Sequence, residues 1–359
     1  MAWLALFEGM VVWQLAAGFF TAISGWKSVV RTRIFSLLLV VISTLLSFAA
    51  GEAVLRLKNS NMANYDIEMW RYSNALKVRS ANPDIAFTHR RNDSARLQNV
   101  AIRTNELGLR GGPIKPLAPG ERRILFLGGS ITLGWGVPED ETLTARLERK
   151  FREDGKTLQV LNGGIGNYNT VRYVNRFFDE LAPLRPTDIV VQYFLRDAED
   201  LQPGGGNFLL EHSELAVTLL IAKNRLFEAS GQGALEDHYR RVYAPDSAGF
   251  LKMKTQLKRL SRYGKAHGIR LYLAMMPDIH NLQSYKFEYI HRIMQQIAAE
   301  DGYIFVDLLP ALRDRPPEQL FAMPGDPHPN ALGHRLMAGA LYPVLAQEAG
   351  TRASAMPAR

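Results

Sequence analysis

Two long charge-free stretches lie near the start of the chain and distinguish it from the more polar remainder. One runs from Gly9 to Trp26, and the other runs from Ile34 to Gly51, eighteen residues without a charge. An α-helix rises about 1.5 Å per residue, so such a stretch nearly crosses a hydrocarbon core. We therefore predict a transmembrane helix over about 34–54. The stretch over about 9–26 contains Gln14 and three glycines, and it is predicted as a second span or an interfacial helix.

The basic residues predict how the chain is oriented in the membrane. The second stretch begins far into the chain and no clear small-residue cleavage site precedes a mature start, so we expect an uncleaved anchor within a membrane segment 1–56. Three basic residues lie between the stretches: Lys27, Arg31 and Arg33. The positive-inside rule places that loop in the cytoplasm and the following domain outside, in the periplasm. A buried core helix is the alternative for the second stretch.

A polar segment separates the apolar stretches from a region in which strand and helix patterns alternate. Residues 57–100 have little apolar periodicity and are predicted as an irregular stem or lead-in. In the domain predicted over 101–350, five apolar runs are typical of strands: RILFLG, LQVLN, DIVVQYF, IRLYLAMM and YIFVDLL. Strands that are apolar throughout and separated by helices indicate an α/β fold with a five-stranded parallel sheet covered on both faces.

An insertion interrupts this alternation after the third strand. The glycine-rich run GGGNFLL precedes a largely apolar helix near Ser213 to Ala229, and we predict a helical insertion over about 203–245. Packing as an extra layer of the core is the favoured interpretation. A lid and a membrane-facing element are the alternatives.

Composition excludes several kinds of chemistry. The 359 residues include 43 basic and 35 acidic side chains, a net charge of +8, and no cysteine. Without cysteine there is no thiol nucleophile, disulfide or thiolate metal site, so a nucleophile must be oxygen or nitrogen. The charges are scattered and no basic aromatic motif appears, which argues against nucleic-acid binding. No metal-ligand cluster is evident in the sequence, and we predict neither a metal nor a cofactor.

The first strand leads into a candidate nucleophile. In parallel sheets, ligands bind at the carboxyl ends of the strands, and here the first strand ends in Gly128-Gly129-Ser130. Two glycines allow a sharp turn from strand to helix, which presents the serine at the sheet edge with its amide at a helix start. Neither phosphate-binding glycine motif is present. Thr132 occupies the place of the second glycine in a GxSxG elbow, so a different serine fold is required.

A histidine and a carboxylate near the end of the chain are candidates to activate that serine. Asp326 and His328 are two residues apart in MPGDPHPNALGHR, where prolines stiffen the loop before the last helix. Such a loop can hold the carboxylate against Nδ1 and leave Nε2 for the serine hydroxyl. Asp278 and His280 share this spacing after the fourth strand and are a second candidate pair at the rim. His334 falls within the helix and is expected to be an ordinary helix residue.

Together these motifs resemble the SGNH, or GDSL, hydrolase family, and in particular its bacterial membrane-anchored members. The resemblance extends over about Ile102 to Ala346 and depends on five segments: RTNELGLRG, LGGSITLGWGV, VLNGGIGNYNT, DIVVQYFLRDAED and GDPHPNALGH. A serine first and a close Asp and His pair last is the order found in this family. The resemblance implies a flavodoxin-like α/β/α sandwich of three layers.

The resemblance also assigns roles to residues of the site. It implies that Ser130 is the nucleophile, that His328 is the general base and then the acid, and that Asp326 orients the histidine. The oxyanion would accept hydrogen bonds from the amide of Ser130 and from an amide in the turn from Gly164 to Asn167. Which amide of that turn contributes stays open. An asparagine in a left-handed turn can still offer its N–H group.

The sequence departs from the family pattern at two positions. The family motif GDS reads GGS in this chain, with Gly129 in place of the aspartate, and we expect this change to have little effect. The third block, GxND in the family, here reads FLRD, so Arg196 stands in place of the asparagine whose amide would face the oxyanion. Arg196 either replaces that donor or binds an anionic group on the substrate. Alternatively, it pairs with Asp197 or Glu199 and leaves the site weakened.

The function predicted from these residues is that of a membrane-anchored serine esterase. Its expected substrates are O-acyl esters, above all acetyl esters, of cell-envelope or exported polysaccharide or lipid. An O-acyltransferase that uses the same acyl-enzyme is an alternative. A catalytically weakened domain that binds polysaccharide in an assembly complex is another.

Overall fold

The computed structural model describes residues 10, 13–14, 29–201, 207–227, 233–323, 326 and 328–353. Within these ranges the chain divides into two compact units. The helical unit comprises Met1–Ser60 and Asn207–Arg225, and the α/β unit comprises Asn61–Gly206 and Leu226–Arg359.

The elements are numbered in chain order. The strands are β1 (Lys77–Arg79), β2 (Phe87–His89), β3 (Ser94–Leu97), β4 (Val100–Arg103), β5 (Arg122–Gly128), β6 (Leu158–Asn162), β7 (Asp188–Tyr193), β8 (Arg270–Met275) and β9 (Ile304–Asp307). The α-helices are α1 (Val29–Lys58), α2 (Tyr65–Leu76), α3 (Ser130–Leu133), α4 (Leu143–Glu153), α5 (Thr170–Arg176), α6 (Phe208–His212), α7 (Glu214–Phe227), α8 (Ala234–Val242), α9 (Ala248–His267), α10 (Glu288–Asp301), α11 (Leu309–Leu312) and α12 (Ala331–Ala353).

Helix α1 contains the second charge-free stretch. Among the described residues, Arg33–Asn61 is the one segment long and apolar enough to cross a membrane, judged by length and composition. The helix spans the whole of the predicted 34–54 segment. The other predicted helix, over about 9–26, falls outside the described residues except at positions 10, 13 and 14.

The insertion after the third parallel strand is helical in its described part. Helices α6 and α7 group with α1 in the helical unit, and the side chains of Phe208, Leu209 and Leu219 are exposed. The predicted helical insertion over about 203–245 thus contains α6, α7 and α8. Its packing as an extra layer of the core stays a prediction. Helix α8 belongs to the α/β unit.

The predicted parallel sheet is confirmed, with all five strands. Its order is β6-β5-β7-β8-β9, and every neighbouring pair is parallel. Numbered by their sequence among the parallel strands, this is the order 2-1-3-4-5 of flavodoxin-like folds. The order reverses between β5 and β7, so the carboxyl ends of these two strands flank the crevice in which such sheets bind ligands.

Helices cover both faces of this sheet because both faces are apolar. Leu125 and Ile189 pack into one hydrophobic cluster, and their neighbours Ile124 and Val190 pack into the other. This alternation follows from the two-residue period of a strand. Helices α5, α9 and α10 contribute to the first cluster, and α4, α11 and α12 contribute to the second. The molecule thus has the predicted α/β/α layers.

The segment predicted as an irregular stem is largely ordered secondary structure of the α/β unit. It contains α2 and two antiparallel two-stranded sheets, β1-β2 and β3-β4. Tyr72, Leu76 and Leu97 form a small hydrophobic cluster with Leu133 and Trp135, which lie just after the candidate nucleophile. The strands have three or four residues each, too few for an alternating pattern to stand out in the sequence.

Candidate active site

The turn after β5 presents Ser130 at the carboxyl end of the first parallel strand. Ser130 begins α3, with Gly129 as its N-cap residue. A Cβ atom at Gly128 would collide with the side chain of Thr132 and with the carbonyl of Gln192, so only glycine fits where the chain turns. The amide of the first residue of a helix has no acceptor within that helix. The Ser130 amide is therefore available to a ligand beside its own hydroxyl.

His328 lies within hydrogen-bonding distance of both Ser130 and Asp326. His328 Nε2 is 2.6 Å from Ser130 Oγ, although 198 residues separate the two in sequence. On the other side of the ring, Nδ1 is 2.5 Å from Asp326 Oδ1, and the His328 amide donates to the same oxygen at 2.9 Å. Because Nδ1 faces a carboxylate, it carries the ring proton, and Nε2 accepts from the serine hydroxyl.

Backbone pairing holds this histidine in place. Phe321 and Pro329 form an isolated antiparallel bridge, and the amide of Ala322 donates to the His328 carbonyl at 2.8 Å. The second oxygen of the carboxylate has a further donor, because Gln98 Nε2 lies 3.4 Å from Asp326 Oδ2. Gln98 lies in the turn between β3 and β4. Its contact with Asp326 could not be predicted from the sequence, because no motif near Gln98 indicates a partner 228 residues later.

A small cavity lies beside the serine. It has a volume of about 70 Å³. Two of its lining residues come from α2, where the Tyr65 ring is tilted by 30° to that of His328, with the centroids 5.7 Å apart. Burial raises the pKa of Tyr65 to about 12, so its phenol stays neutral. The described lining residues are Tyr65, Met69, Gly129, Ser130, Ile131, Asn167, Tyr168, Gln192, Phe194, Arg196, Asp197, Leu201, Met276 and His328.

The turn after β6 is predicted to supply an oxyanion donor, and most of its amides are already bonded. The amide of Gly164 donates to Asn162 Oδ1 at 3.1 Å, and that of Ile165 donates to the carbonyl of Gly128 at 3.2 Å. Gly164 is one of the candidate oxyanion donors named from the sequence. In the structure, the side chain of Asn162 accepts from this N–H group.

The last two residues of this turn differ from each other. The amide of Gly166 donates to the Tyr72 hydroxyl at 2.9 Å, and that hydroxyl lies 2.5 Å from His89 Nε2. Burial lowers the pKa of His89 to about 3, so the ring accepts this bond as a neutral imidazole. Asn167 adopts a left-handed conformation with φ of +65° and lines the cavity. Within the described part of the chain, it is the one residue of the turn whose amide has no assigned acceptor.

Arg196 lies on the cavity wall and pairs with an acid. Its Nε is 3.2 Å from Glu199 Oε2, and the other oxygen of Glu199 is 3.0 Å from His238 Nε2. Asp197 is buried and accepts from the amide of Phe194 at 3.3 Å, and burial raises its pKa well above the usual range. Of the alternatives left open by the sequence, the structure shows the ion pair with Glu199.

The other candidate histidines lie elsewhere. His280 Nδ1 is 3.0 Å from both oxygens of Asp278. Its ring packs beside Phe321, and it is not among the described residues that line the cavity. His334 is buried in α12, where Nδ1 accepts from the amide of Leu143 at 3.0 Å. Burial lowers its pKa to about 3. Among the described residues, no group of three or more acidic, histidine or cysteine side chains could hold a metal.

A buried arginine holds the far end of the nucleophile helix. Arg110, from the segment RTNELGLRG, donates through Nη1 to the carbonyls of Leu133 and Gly134 at 2.7 and 2.6 Å, and through Nη2 to that of Val137 at 2.6 Å. Burial lowers its pKa to about 10. The sequence motif contained this residue, but its spacing did not indicate which carbonyls it binds.

Most of the α/β unit matches a known protein family. Residues 126–336, more than half of the chain, match the GDSL-like lipase/acylhydrolase family. Similar solved structures include TesA, with 16% identity, a TM-score of 0.44 and coverage of 63% of this chain and 99% of that chain. A catalytic mutant of Axe2, an acetylxylan esterase from Geobacillus stearothermophilus, has 17% identity, a TM-score of 0.42 and coverage of 64% and 94%.

The psychrotrophic esterase EstA from Pseudoalteromonas sp. has 14% identity to the chain, a TM-score of 0.40 and coverage of 64% and 98%. Comparison with the curated proteins finds no match. The family match, over a segment that begins in the first parallel strand and ends in the last helix, is the decisive finding. The chain therefore belongs to the GDSL-like lipase/acylhydrolase family, as a carboxylic ester hydrolase of the SGNH type.

Proposed function

We propose that the protein is a membrane-anchored serine esterase that removes short O-acyl groups through an acyl-enzyme on Ser130. The observation that carries this proposal is the position of His328, with Nε2 at 2.6 Å from the serine hydroxyl and Nδ1 at 2.5 Å from Asp326. A serine hydroxyl becomes nucleophilic at neutral pH when such a base takes its proton and a carboxylate orients that base.

The first half of the reaction forms the acyl-enzyme. Ser130 Oγ attacks the ester carbonyl carbon while its proton passes to His328 Nε2, and the carbonyl oxygen becomes an oxyanion. The amides of Ser130 and Asn167 donate to that oxygen, where charge develops in the transition state. The imidazolium, held by Asp326, then gives the proton to the leaving alcohol as the bond between carbonyl carbon and alkoxy oxygen breaks.

The second half releases the acyl group. A water molecule gives its proton to His328 and attacks the acyl-enzyme, and the carboxylic acid leaves as Ser130 regains its proton. A sugar hydroxyl in place of water makes the same steps a transfer. O-Acyl transfer is therefore the second candidate function, because the same acyl-enzyme serves both reactions.

The size of the cavity supports a short acyl group. An engineered apolar cavity of about 150 Å³ holds one benzene molecule. The cavity beside Ser130 has about half that volume, which fits an acyl chain of about two or three carbons. Acetyl esters are the proposed substrates. The apolar lining from Met69, Ile131 and Met276 suits the methyl end of such a group.

The proposed location is the membrane, with the α/β unit in the periplasm. Its support is the apolar helix α1, whose Arg33–Asn61 segment has the length and composition of a span, together with the basic residues that precede it. An anchored domain on that side meets cell-envelope or exported polysaccharide and lipid. Esters of these molecules are the proposed substrate class.

A fluorophosphonate probe tests the nucleophile directly. We expect the probe to label the full chain and to block hydrolysis of an acetyl ester chromogen, and Ser130→Ala to abolish labelling and to lower kcat/KM by at least about 10³-fold. Ser284→Ala, at an exposed serine, is the matched control and should behave as the unaltered protein. No labelling at Ser130 in folded protein would contradict the esterase mechanism and favour a binding role. Turnover that rises with added sugar acceptor would identify transfer.

A further inference from the structure

The start of helix α7 is capped by a residue of helix α1. Glu52 accepts hydrogen bonds from Ser213 Oγ at 2.9 Å, from the amide of Glu214 at 3.0 Å and from the amide of Leu215 at 2.9 Å. These are groups that the first turn of a helix leaves without internal partners. Arg56 Nε lies 2.7 Å from the same carboxylate. A carboxylate at a helix N-terminus is also favoured by the helix dipole.

Two further contacts join the same two helices. Arg56 Nη2 donates to the carbonyl of His212 at 2.9 Å, and Asn59 Nδ2 donates to Glu214 Oε2 at 3.0 Å. Asn59 and Glu214 are 4% and 2% exposed. Polar side chains this deeply buried are costly unless they are paired, so the contacts define one position of α7 on α1.

The first turn of α7 contacts the end of the apolar stretch of α1. A Cβ atom at Gly51, the last residue of that stretch, would lie 3.4 Å from the Leu215 side chain. Glu52 directly follows that stretch, so the first turn of α7 lies level with the end of the apolar surface.

The helices held there expose large apolar side chains. Phe208 and Leu209 of α6 are 73% and 63% exposed, and Leu219 and Leu220 of α7 are 56% and 39% exposed. Residues 215–222 of α7 carry no charge, and Lys223 follows them. In the described α/β unit, large apolar side chains this exposed are few: Val78, Leu235 and Leu251. Soluble surfaces rarely collect apolar groups in this way.

We propose that α6 and α7 form a membrane-surface element that inserts Phe208, Leu209, Leu219 and Leu220 into the phospholipid bilayer crossed by α1. This inference rests on the proposed anchor. Amphipathic helices lie in this way at the boundary between headgroups and acyl chains, with their apolar side chains buried by several ångströms. The lipid is the occupant that fits, because α7 begins beside the end of the apolar stretch of α1. Lys223, whose ammonium can reach the headgroup phosphates, follows the exposed apolar side chains.

Spin labels test the proposal in the full chain. The protein has no cysteine, so Leu209→Cys and Leu219→Cys each give a single site for a nitroxide. After reconstitution into phosphatidylglycerol and phosphatidylethanolamine vesicles, we measure collision of the label with oxygen, which concentrates in lipid, and with a water-soluble nickel chelate. We expect an oxygen-to-nickel ratio at least about threefold higher at both sites than for Leu251→Cys, a matched exposed leucine of the α/β unit. Unchanged ester hydrolysis confirms that the labelled chains are folded.

A label at Leu45→Cys, within the apolar stretch of α1, separates the two possible failures. If this label is in lipid and the label at position 219 behaves like that at 251, the inference about α6 and α7 is overturned and the anchor stands. If the label at position 45 also behaves like that at 251, the proposed anchor itself is wrong. We further expect Glu52→Gln to lower the ratio for Leu219→Cys toward that of Leu251→Cys. An unchanged ratio would show that this cap does not hold α7 at the lipid surface.

Discussion

Arg196 illustrates how a single residue alters the site. It stands where the resemblance places an asparagine amide, and its guanidinium is engaged by Glu199 at 3.2 Å. The proposed oxyanion hole then has two donors, the amides of Ser130 and Asn167. Removal of one such donor typically costs about 3 kcal/mol in the transition state. Position 196 still lines the cavity, so a suitable side chain there can face the oxyanion.

We therefore predict that Arg196→Asn raises kcat for an acetyl ester by about tenfold or more, toward the limit of a three-donor site. Arg196→Ala, the matched control, removes the ion pair without adding a donor and should change kcat by less than about threefold, as expected for a half-exposed pair. Steady-state hydrolysis by the full chain measures both. A loss in Arg196→Ala as large as that in Ser130→Ala would instead make the guanidinium an oxyanion donor.

At the scale of elements, α2 and the β3-β4 hairpin support the site from outside the segment that matches the family. That match begins at residue 126, whereas Tyr65 and Met69 line the cavity. Tyr72 accepts from the amide of Gly166, and Gln98 lies beside Asp326. A segment before the family match thus orients both the oxyanion turn and the carboxylate that holds the histidine.

Tyr72→Phe tests this support. Without the hydroxyl, the amide of Gly166 loses its acceptor and His89 loses its donor, so we expect kcat to fall with little change in KM and the free energy of unfolding to fall by about 1–3 kcal/mol. Tyr303→Phe is the matched control, because its hydroxyl donates to the carbonyl of Leu257 at 2.7 Å and its ring does not line the cavity as described. It should lose comparable stability, measured by urea unfolding, while kcat is retained. An equal fall of kcat in both variants would show that Tyr72 affects activity only through the stability of the fold.

His334 joins helix α12 to the start of α4 and makes stability depend on pH. Its folded pKa is about 3 because it is buried, whereas an unfolded histidine titrates near 6.5. Between these values the unfolded chain binds a proton that the folded chain does not, so stability falls as the pH drops from about 6.5 toward 3.

We expect His334→Gln to reduce this dependence by about 1.4 kcal/mol per pH unit between pH 6 and 4. The glutamine oxygen can still accept from the amide of Leu143, which limits the loss of stability at pH 7. The measurement is the free energy of unfolding in urea across that range, with His267→Gln, at an exposed histidine, as the control. An unchanged slope in His334→Gln would mean that this imidazole also takes up its proton in the folded state.

At the scale of the whole molecule, one helical unit and one α/β unit have different surfaces. Large exposed apolar side chains are concentrated on α1, α6 and α7, and the described α/β unit has few. A single chain with this division of surface is expected to partition between lipid and water rather than to remain wholly in either.

Two measurements, one on isolated membranes and one on intact cells, check the proposed anchor and orientation. We expect the full chain to stay in the membrane fraction after carbonate extraction. Because the chain has no cysteine, Leu251→Cys gives a single site on the α/β unit, and an impermeant maleimide should label it from the periplasmic side. Labelling only after the inner membrane is broken would contradict the proposed orientation. Release of the protein by carbonate would contradict the proposed anchor.

The sequence predicted the α/β fold class and identified the three residues that the structure joins by hydrogen bonds. Five apolar runs predict the parallel sheet, because a strand that is buried on both faces is apolar at almost every position. Ser130 and the pair of Asp326 and His328 could be identified because each lies in a short motif whose position relative to a strand or helix is local. The motif order then indicated the family without any knowledge of contacts.

The available amide of the turn after β6 and the cap of helix α7 could be identified only from contacts between distant parts of the chain. The amide of Gly166 is bonded to a hydroxyl 94 residues earlier in the chain, and Glu52 caps a helix that starts 162 residues later. Such a hydrogen bond forms between residues that are far apart in sequence, and the hydrophobic pattern around one residue does not indicate the other. For this reason periodicity predicts the strands and helices but not which amide is available, which residue pairs with Arg196 or which residue caps α7.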